Sequence, residues 1–179
     1  MKIVPIFANR LYAFHYQNGN DPDEFERLFD LWQDITYLEQ FFDENQKDLA
    51  RGFFVPVPTV DEAVLITQEE ATRLERHLKQ LARLQNQQLD AFFKPLSKSE
   101  DHLPFPRYKT YGLRYNSWLR IYALKIGHRY YITGGAIKLT RAMQDAVHTR
   151  AELDKISRCF SYLKEQGVVD IDGAMELDL

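Results

Sequence analysis

The sequence predicts an α+β fold, and three observations carry that prediction. Apolar residues recur at helical spacing from Glu24 to about Asn45 and again from Gln68 to about Phe93. Two strand-like runs, 118–126 and 129–133, flank the turn dipeptide Gly127-His128. A last helical stretch then carries start and stop signals at its two ends. A helical piece therefore precedes a strand-rich piece. At 179 residues the chain fits one domain, 1–179, with a helical hairpin over 24–93 and a strand cluster plus C-terminal helix over 107–179.

The opening "KIVPIFANRLYAFHY" is rich in Ile, Val, Phe and Tyr and reads as one or two short strands, the first over Lys2 to Phe7. Pro5 removes a backbone donor, so that strand belongs at an edge or bends. "QNGNDPD" is turn material that opens a helix. In the helix 24–45, Phe25, Leu28, Phe29, Trp32, Ile35, Leu38 and Phe42 form one face and acidic residues the other. An uncovered Trp32 or Phe42 side would be a surface for a homodimer or an antitoxin. "RGFFVPVPTVDEA" crosses over with two prolines. Thr59 with Glu62, and Thr67 with Glu70, both have capping-box spacing; a second helix is expected from Gln68 to about Phe93, pairing with the first.

"KPLSKSEDHLPFPRYKTYG" is read as a loop, and the chain changes layer there. In "SWLRIYALKIGHRYYITGG" the alternation is imperfect, so both faces of these strands are partly covered. Ala136 to Leu139 is a third short strand. In the last helix Thr149 reads as the N-cap with Glu152 at N3, Leu153, Ile156, Phe160 and Leu163 line one face, and Gly167 sits at C′. The acidic tail "VDIDGAMELDL" reads as an edge strand or a cap on the sheet.

The charge is unevenly spread. Between His102 and Gln144 there is no Asp or Glu, but there are 8 cations: Arg107, Lys109, Arg114, Arg120, Lys125, Arg129, Lys138 and Arg141. The rest of the chain holds 15 Lys or Arg against 26 Asp or Glu, so the net charge of −3 conceals a dipolar molecule. Tyr108, Tyr111, Tyr115, Tyr130 and Tyr131 are interleaved with the cations. Cations suit a phosphate backbone, and aromatic faces suit the splayed bases of single-stranded RNA. The same pattern also suits a solvated strand face, cations paired with the acidic first helix, or an acidic protein partner.

No HxxxH, HExxH or CxxC spacing joins the five histidines and the one cysteine, so no metal and no cofactor is expected. Cys159, alone in a helix, reads as a small buried hydrophobe and fits a reducing compartment. Gly134-Gly135 matches neither phosphate-binding glycine pattern and reads as a turn, a bulge or close packing. The start lacks the features of a signal peptide, and no apolar stretch approaches a membrane span; a cytoplasmic protein is expected.

The segment "SWLRIYALKIGHRYYITGGAIKLTRAMQDAVHTRAELDKISRCFSYLKEQGVVD", with the opening "IFANRLYAFHY", resembles a group of small bacterial proteins. That group is associated with the RelE-like superfamily of toxin–antitoxin toxins, in its phage-type, HigB-like neighbourhood. The arginine-bearing strand, the hairpin and the "GG…K" element carry the link to RNA cleavage. The resemblance implies a small twisted antiparallel sheet with helices packed on one side, 24–93 being an enlarged helical part. It also implies an endoribonuclease that cleaves mRNA on the ribosome by attack of a ribose 2′-oxygen, without a metal, and is neutralised by a cognate antitoxin. On that reading Arg120 and Lys138 are catalytic phosphate clamps and His128 an acid/base group. Arg114, Lys125, Arg129 and Arg141 contact RNA, and Tyr130 stacks on a base. The competing readings are a structural ion pair for Arg120 and an exposed turn residue for His128. The acidic ending "MELDL" departs from a basic C-terminus. The alternative function is a non-enzymatic interaction or adaptor protein that binds an acidic partner. A DNA-binding protein ranks below both, since no helix joins a basic face to helix-turn-helix spacing.

Overall fold

The computed structural model describes residues 1–16, 21–51, 54, 56–84, 88–97, 103–140, 147–168 and 173. Strands β1 (Lys2–Phe7) and β2 (Leu11–His15) come first, then helices α1 (Glu24–Leu31), α2 (Ile35–Glu44), α3 (Gln46–Arg51), α4 (Val60–Arg83) and α5 (Gln88–Phe92). Strands β3 (Lys94–Pro95), β4 (Arg107–Tyr111), β5 (Leu119–Ile126) and β6 (Arg129–Ile137) follow, and α6 (Val147–Glu165) closes the described part. The six strands form one sheet in the order β1-β2-β6-β5-β4-β3. The α+β class is as expected, but the sheet is mixed and not purely antiparallel. β2 runs parallel to β6, with Leu11, Tyr12 and Ala13 opposite Tyr130, Tyr131 and Ile132, while every other pair is antiparallel.

β1 is the edge strand that Pro5 called for. Its hairpin with β2 turns at Ala8 and Asn9, both at positive φ (52° and 51°), and Arg10 N–H donates to the Phe7 carbonyl at 3.2 Å. Those dihedrals are a type I′ turn, whose twist matches the strands it joins. Gly127, at φ 58°, opens the β5–β6 turn as expected. The predicted short strand at 136–139 is the end of β6, and the predicted loop contains β3 and β4.

Among its described residues the 24–93 segment forms five helices and not a hairpin of two. The apolar period runs on through Trp32 and Ile35, but Asp34 accepts from the Tyr37 N–H at 3.1 Å and caps a new helix. Trp32 and Phe42 are both buried in the core, so neither offers an open face. Of the two capping-box spacings only the first is a cap: Thr59 and Glu62 exchange both bonds, at 2.8 and 3.3 Å. Thr67 is interior to α4, donating to the Ala63 carbonyl at 2.7 Å and accepting from the Trp118 indole at 2.9 Å. Thr149 likewise lies inside α6, not at its cap. The end of α6 is as read: Gly167, at φ 74°, donates to Lys164 and Val168 to Leu163, both at 3.1 Å, which is a Schellman motif. Most of the acidic tail and Arg141 lie outside the described residues.

Strand alternation divides the core in two. Leu11, Ala13, Leu119, Ile121, Ala123, Tyr130 and Ile132 face α1–α5, whereas Tyr12, Phe14, Tyr122, Leu124, Ile126 and Tyr131 face α6. Helices thus cover both faces, where the resemblance implied one. No described helix is long and apolar enough to cross a membrane.

Candidate nucleic-acid interface

Among the described residues one long helix, α6, packs on one face of the sheet and five helices pack on the other. Beside α6, the same face of β4 and β5 is open as a cleft of about 750 Å³. Register places its lining. Tyr111 pairs with Arg120, Lys109 with Tyr122 and Arg107 with Leu124, so all of these share the α6 face. Lys138, just past β6, and Arg114, in the β4–β5 loop, complete the basic rim. No Asp or Glu lines the cleft among the described residues, though Leu153 and Ser157 of α6 do.

Arg120 is the centre of this arrangement. Its Nη1 donates to the carbonyls of Ser117 and Leu119, each at 2.7 Å, and its guanidinium lies 4.2 Å from the Tyr111 ring centroid. The ion pair that would have made it structural is absent among the described residues: no carboxylate there pairs with it. Burial lowers its pKa below the ordinary arginine value, against the raising effects of Tyr111, Tyr122 and Glu70. It is a partly desolvated cation held in one geometry, which is what an anion site needs. Lys109 Nζ stands 5.9 Å from the same ring. Lys138 Nζ donates to the Thr140 carbonyl at 2.6 Å. Tyr122 forms the floor; its hydroxyl is buried without a hydrogen-bond partner among the described residues, and burial first, then Glu152 and Tyr111, hold its pKa up against Arg120.

The other predicted site residues are elsewhere. Lys125 and Tyr130 face α5, where Lys125 Nζ meets Asp90 at 2.5 Å and the Tyr130 hydroxyl donates to it at 2.7 Å. Tyr130 is fully buried and stacks on Phe93, with centroids 4.4 Å apart, so it is no platform for a base. His128 is exposed in the β5–β6 turn. At about 3.3 Å per strand residue it lies on the order of 20 Å from Arg120, too far to share a phosphate with it. Arg129 stands at that same end, 5.2 Å from the Tyr12 ring. Arg107, Lys109, Tyr111 and Tyr122 were missed as site residues; the two-residue period of "RYKTY" places the first three on one face.

Gly134 and Gly135 are close-packing positions, one of the three readings open from sequence. A Cβ on Gly134 would lie 1.9 Å from Glu152 Oε2, and one on Gly135 would lie 2.6 Å from the Arg120 carbonyl oxygen. The residues around Glu152 are a buried polar knot. Lys155 Nζ bridges Glu152 and Glu24 at 2.9 Å each, and Arg27 holds Glu24 at 2.6 and 2.8 Å. Burial raises the Glu152 pKa, against the lowering effect of Lys155, and its Oε2 has no partner among the described residues. Beneath them Tyr16 donates to the Thr133 carbonyl and touches Cys159 Sγ at 3.1 Å. Cys159 is fully buried and burial pushes its thiol up to about 12, which bears out the reading of an inert core residue. Among the described residues no group of three His, Cys, Asp or Glu could hold a metal ion. No protein-family model, no curated protein and no solved structure matches this chain.

Proposed function

We propose that this protein binds single-stranded RNA with the phosphodiester backbone in the basic cleft, as a toxin-like ribonuclease restrained by an antitoxin. The observation that carries the reading is Arg120, oriented by two carbonyls and a tyrosine ring, ringed by Arg107, Lys109, Arg114 and Lys138, and facing no carboxylate among the described residues. In cleavage the ribose 2′-oxygen would attack the adjacent phosphorus, a 2′,3′-cyclic phosphate would form and the 5′-oxygen would leave. Arg120, Lys109 and Lys138 would neutralise the phosphoryl oxygens. Tyr122, kept protonated by burial, is a donor and not a base.

A second reading rests on the cleft's composition. Neither an imidazole nor a carboxylate lines it among the described residues, so no group of neutral-range basicity stands by to take the 2′-proton. On that reading the chain holds its polyanion without cutting it.

The test has two parts. Binding of a labelled single-stranded RNA should weaken with salt, with a log–log slope of about −3 if most of the five cations are engaged. Induction in a bacterial host should arrest growth with cleaved transcripts, and the Arg120/Lys138 double alanine should do neither. Binding without cleavage would select the second reading. An affinity indifferent to salt would remove RNA from the cleft and direct the search to a protein partner.

A further inference from the structure

The β4–β5 loop, 112–118, is a wall with a cavity on each side. On one side is the basic cleft. On the other is a groove of about 530 Å³ against α4, lined by Leu65, Ile66 and Glu70 with Phe54, Pro58 and Trp118. Phe54, Arg114, Tyr115 and Asn116 line both cavities, so the two are contiguous over the wall. The wall is braced: Arg114 N–H donates to Glu70 Oε1 at 3.0 Å, Ser117 N–H to the Arg114 carbonyl at 3.2 Å and Leu119 N–H to Ser117 Oγ at 3.0 Å. Tyr115 stands fully exposed at its crest.

The groove has two kinds of lining. Phe54 and Trp118 meet edge to face at 4.9 Å and give it aromatic walls. Glu62, Arg114 and Asn116 also line it, and Glu70 differs from them in being buried. It is 2% exposed, and its Oε2 is buried without a hydrogen-bond partner among the described residues. A carboxylate oxygen in that state accepts and cannot donate, so it selects a ligand with an N–H to give. Leaving it unpaired costs free energy that a matching donor recovers.

Resting on the RNA reading of the cleft, we propose that this groove is a base pocket that takes guanine from the strand whose backbone crosses Arg120. Guanine presents two adjacent donors, N1–H and the N2 amino group, to a carboxylate. Uracil presents a single N–H between two carbonyls, which repel one. The aromatic walls receive the ring, and the crest carrying Arg114 and Tyr115 lies between base and phosphate, as the sugar of a nucleotide does. The pocket explains an arrangement the backbone site does not need: an apolar, acid-bearing cavity joined to a basic one.

The experiment compares two labelled RNAs of seven nucleotides, all uridine or with one central guanosine, by fluorescence anisotropy. The wild type should bind the guanosine oligomer about tenfold more tightly or better, the discrimination of a paired base contact. Glu70→Gln keeps the acceptor for Arg114 but places a donor at the free position; it should bring the ratio of the two affinities near one. Leu65→Glu, on an exposed groove residue that the fold does not depend on, should also lower the ratio, and the ratio cancels any effect on the backbone. Equal affinities for the two oligomers in the wild type, with a steep salt slope, would overturn the base pocket and leave the backbone reading standing. No binding of either oligomer would overturn both. A full guanosine preference in both variants would overturn the assignment to this groove.

Discussion

On the α1–α5 face of the sheet Lys125 ends on Asp90, which also takes the Tyr130 hydroxyl. On the α6 face Arg120 ends on two carbonyls and a ring. Both cations belong to one strand and to one acid-free span of sequence. They differ by an odd number of residues along β5, and that parity decides which meets a carboxylate and which meets a cleft. The basic span is therefore two things: a pinned ion pair behind the sheet and, in front of it, a basic cleft lined by no Asp or Glu among the described residues.

The comparison breaks most visibly where a face loses its packing. Tyr130→Ala should cost roughly 3–5 kcal/mol in denaturant unfolding, through the lost stack on Phe93, while RNA affinity of the folded fraction stays unchanged. The reverse is expected of Arg120→Ala: affinity falls about tenfold to a hundredfold and the salt slope shrinks by roughly 0.7, with Lys125→Ala leaving the slope alone. Equal effects of the two would erase the distinction between faces. Gly134→Ala should cost roughly 1–3 kcal/mol, because the new methyl takes the place of the Glu152 carboxylate; thermal melts would read it.

The faces should also respond to pH with opposite sign. Burial raises Asp90, but the Lys125 and Tyr130 bonds outweigh it and hold the carboxyl below its ordinary 3.8. Its stabilising contribution is present above that pH and lost as pH falls. Glu152 is raised above 4.5, so its contribution is present below that pH and lost as pH rises through the folded value. Asp90→Asn should therefore remove part of the acid-side loss of stability, and Glu152→Gln part of the loss as pH rises above 4.5, in urea titrations across pH. The smallest effect expected is at the β1–β2 turn. Ala8→Gly relieves a left-handed alanine and should gain up to about 1 kcal/mol.

The sequence was most legible where one local signal decides the outcome. Pro5 put β1 at an edge, Gly127 made a turn and Gly167 closed α6. It was least legible where two distant segments decide together. The parallel pairing of β2 with β6 joins residues far apart and leaves no local trace. Asp34 broke a helix whose apolar period continued through it. The buried glutamates have the spacing of ordinary helix-surface acids. Only their partners distinguish them: Glu152 lies over Gly134, and a Cβ on Gly112 would lie 2.0 Å from Glu70 Oε1. A glycine in or beside a strand was the available sign that a carboxylate, not a methyl, fills the space above it. For the site, the residue types were legible but the face was not, because sidedness needs the register.

The β2–β6 pairing also bears on how the protein is made. All five residues of β2 are buried, yet the strand that covers its inner edge begins only at Arg129. At ribosomal rates of roughly 5–20 residues per second, the first hairpin waits on the order of ten seconds with an unpaired apolar edge. During that interval β2 is a template for any strand it meets. Chaperone demand in the cell, and aggregation on truncation before β6, should therefore follow from the position of one strand in the chain.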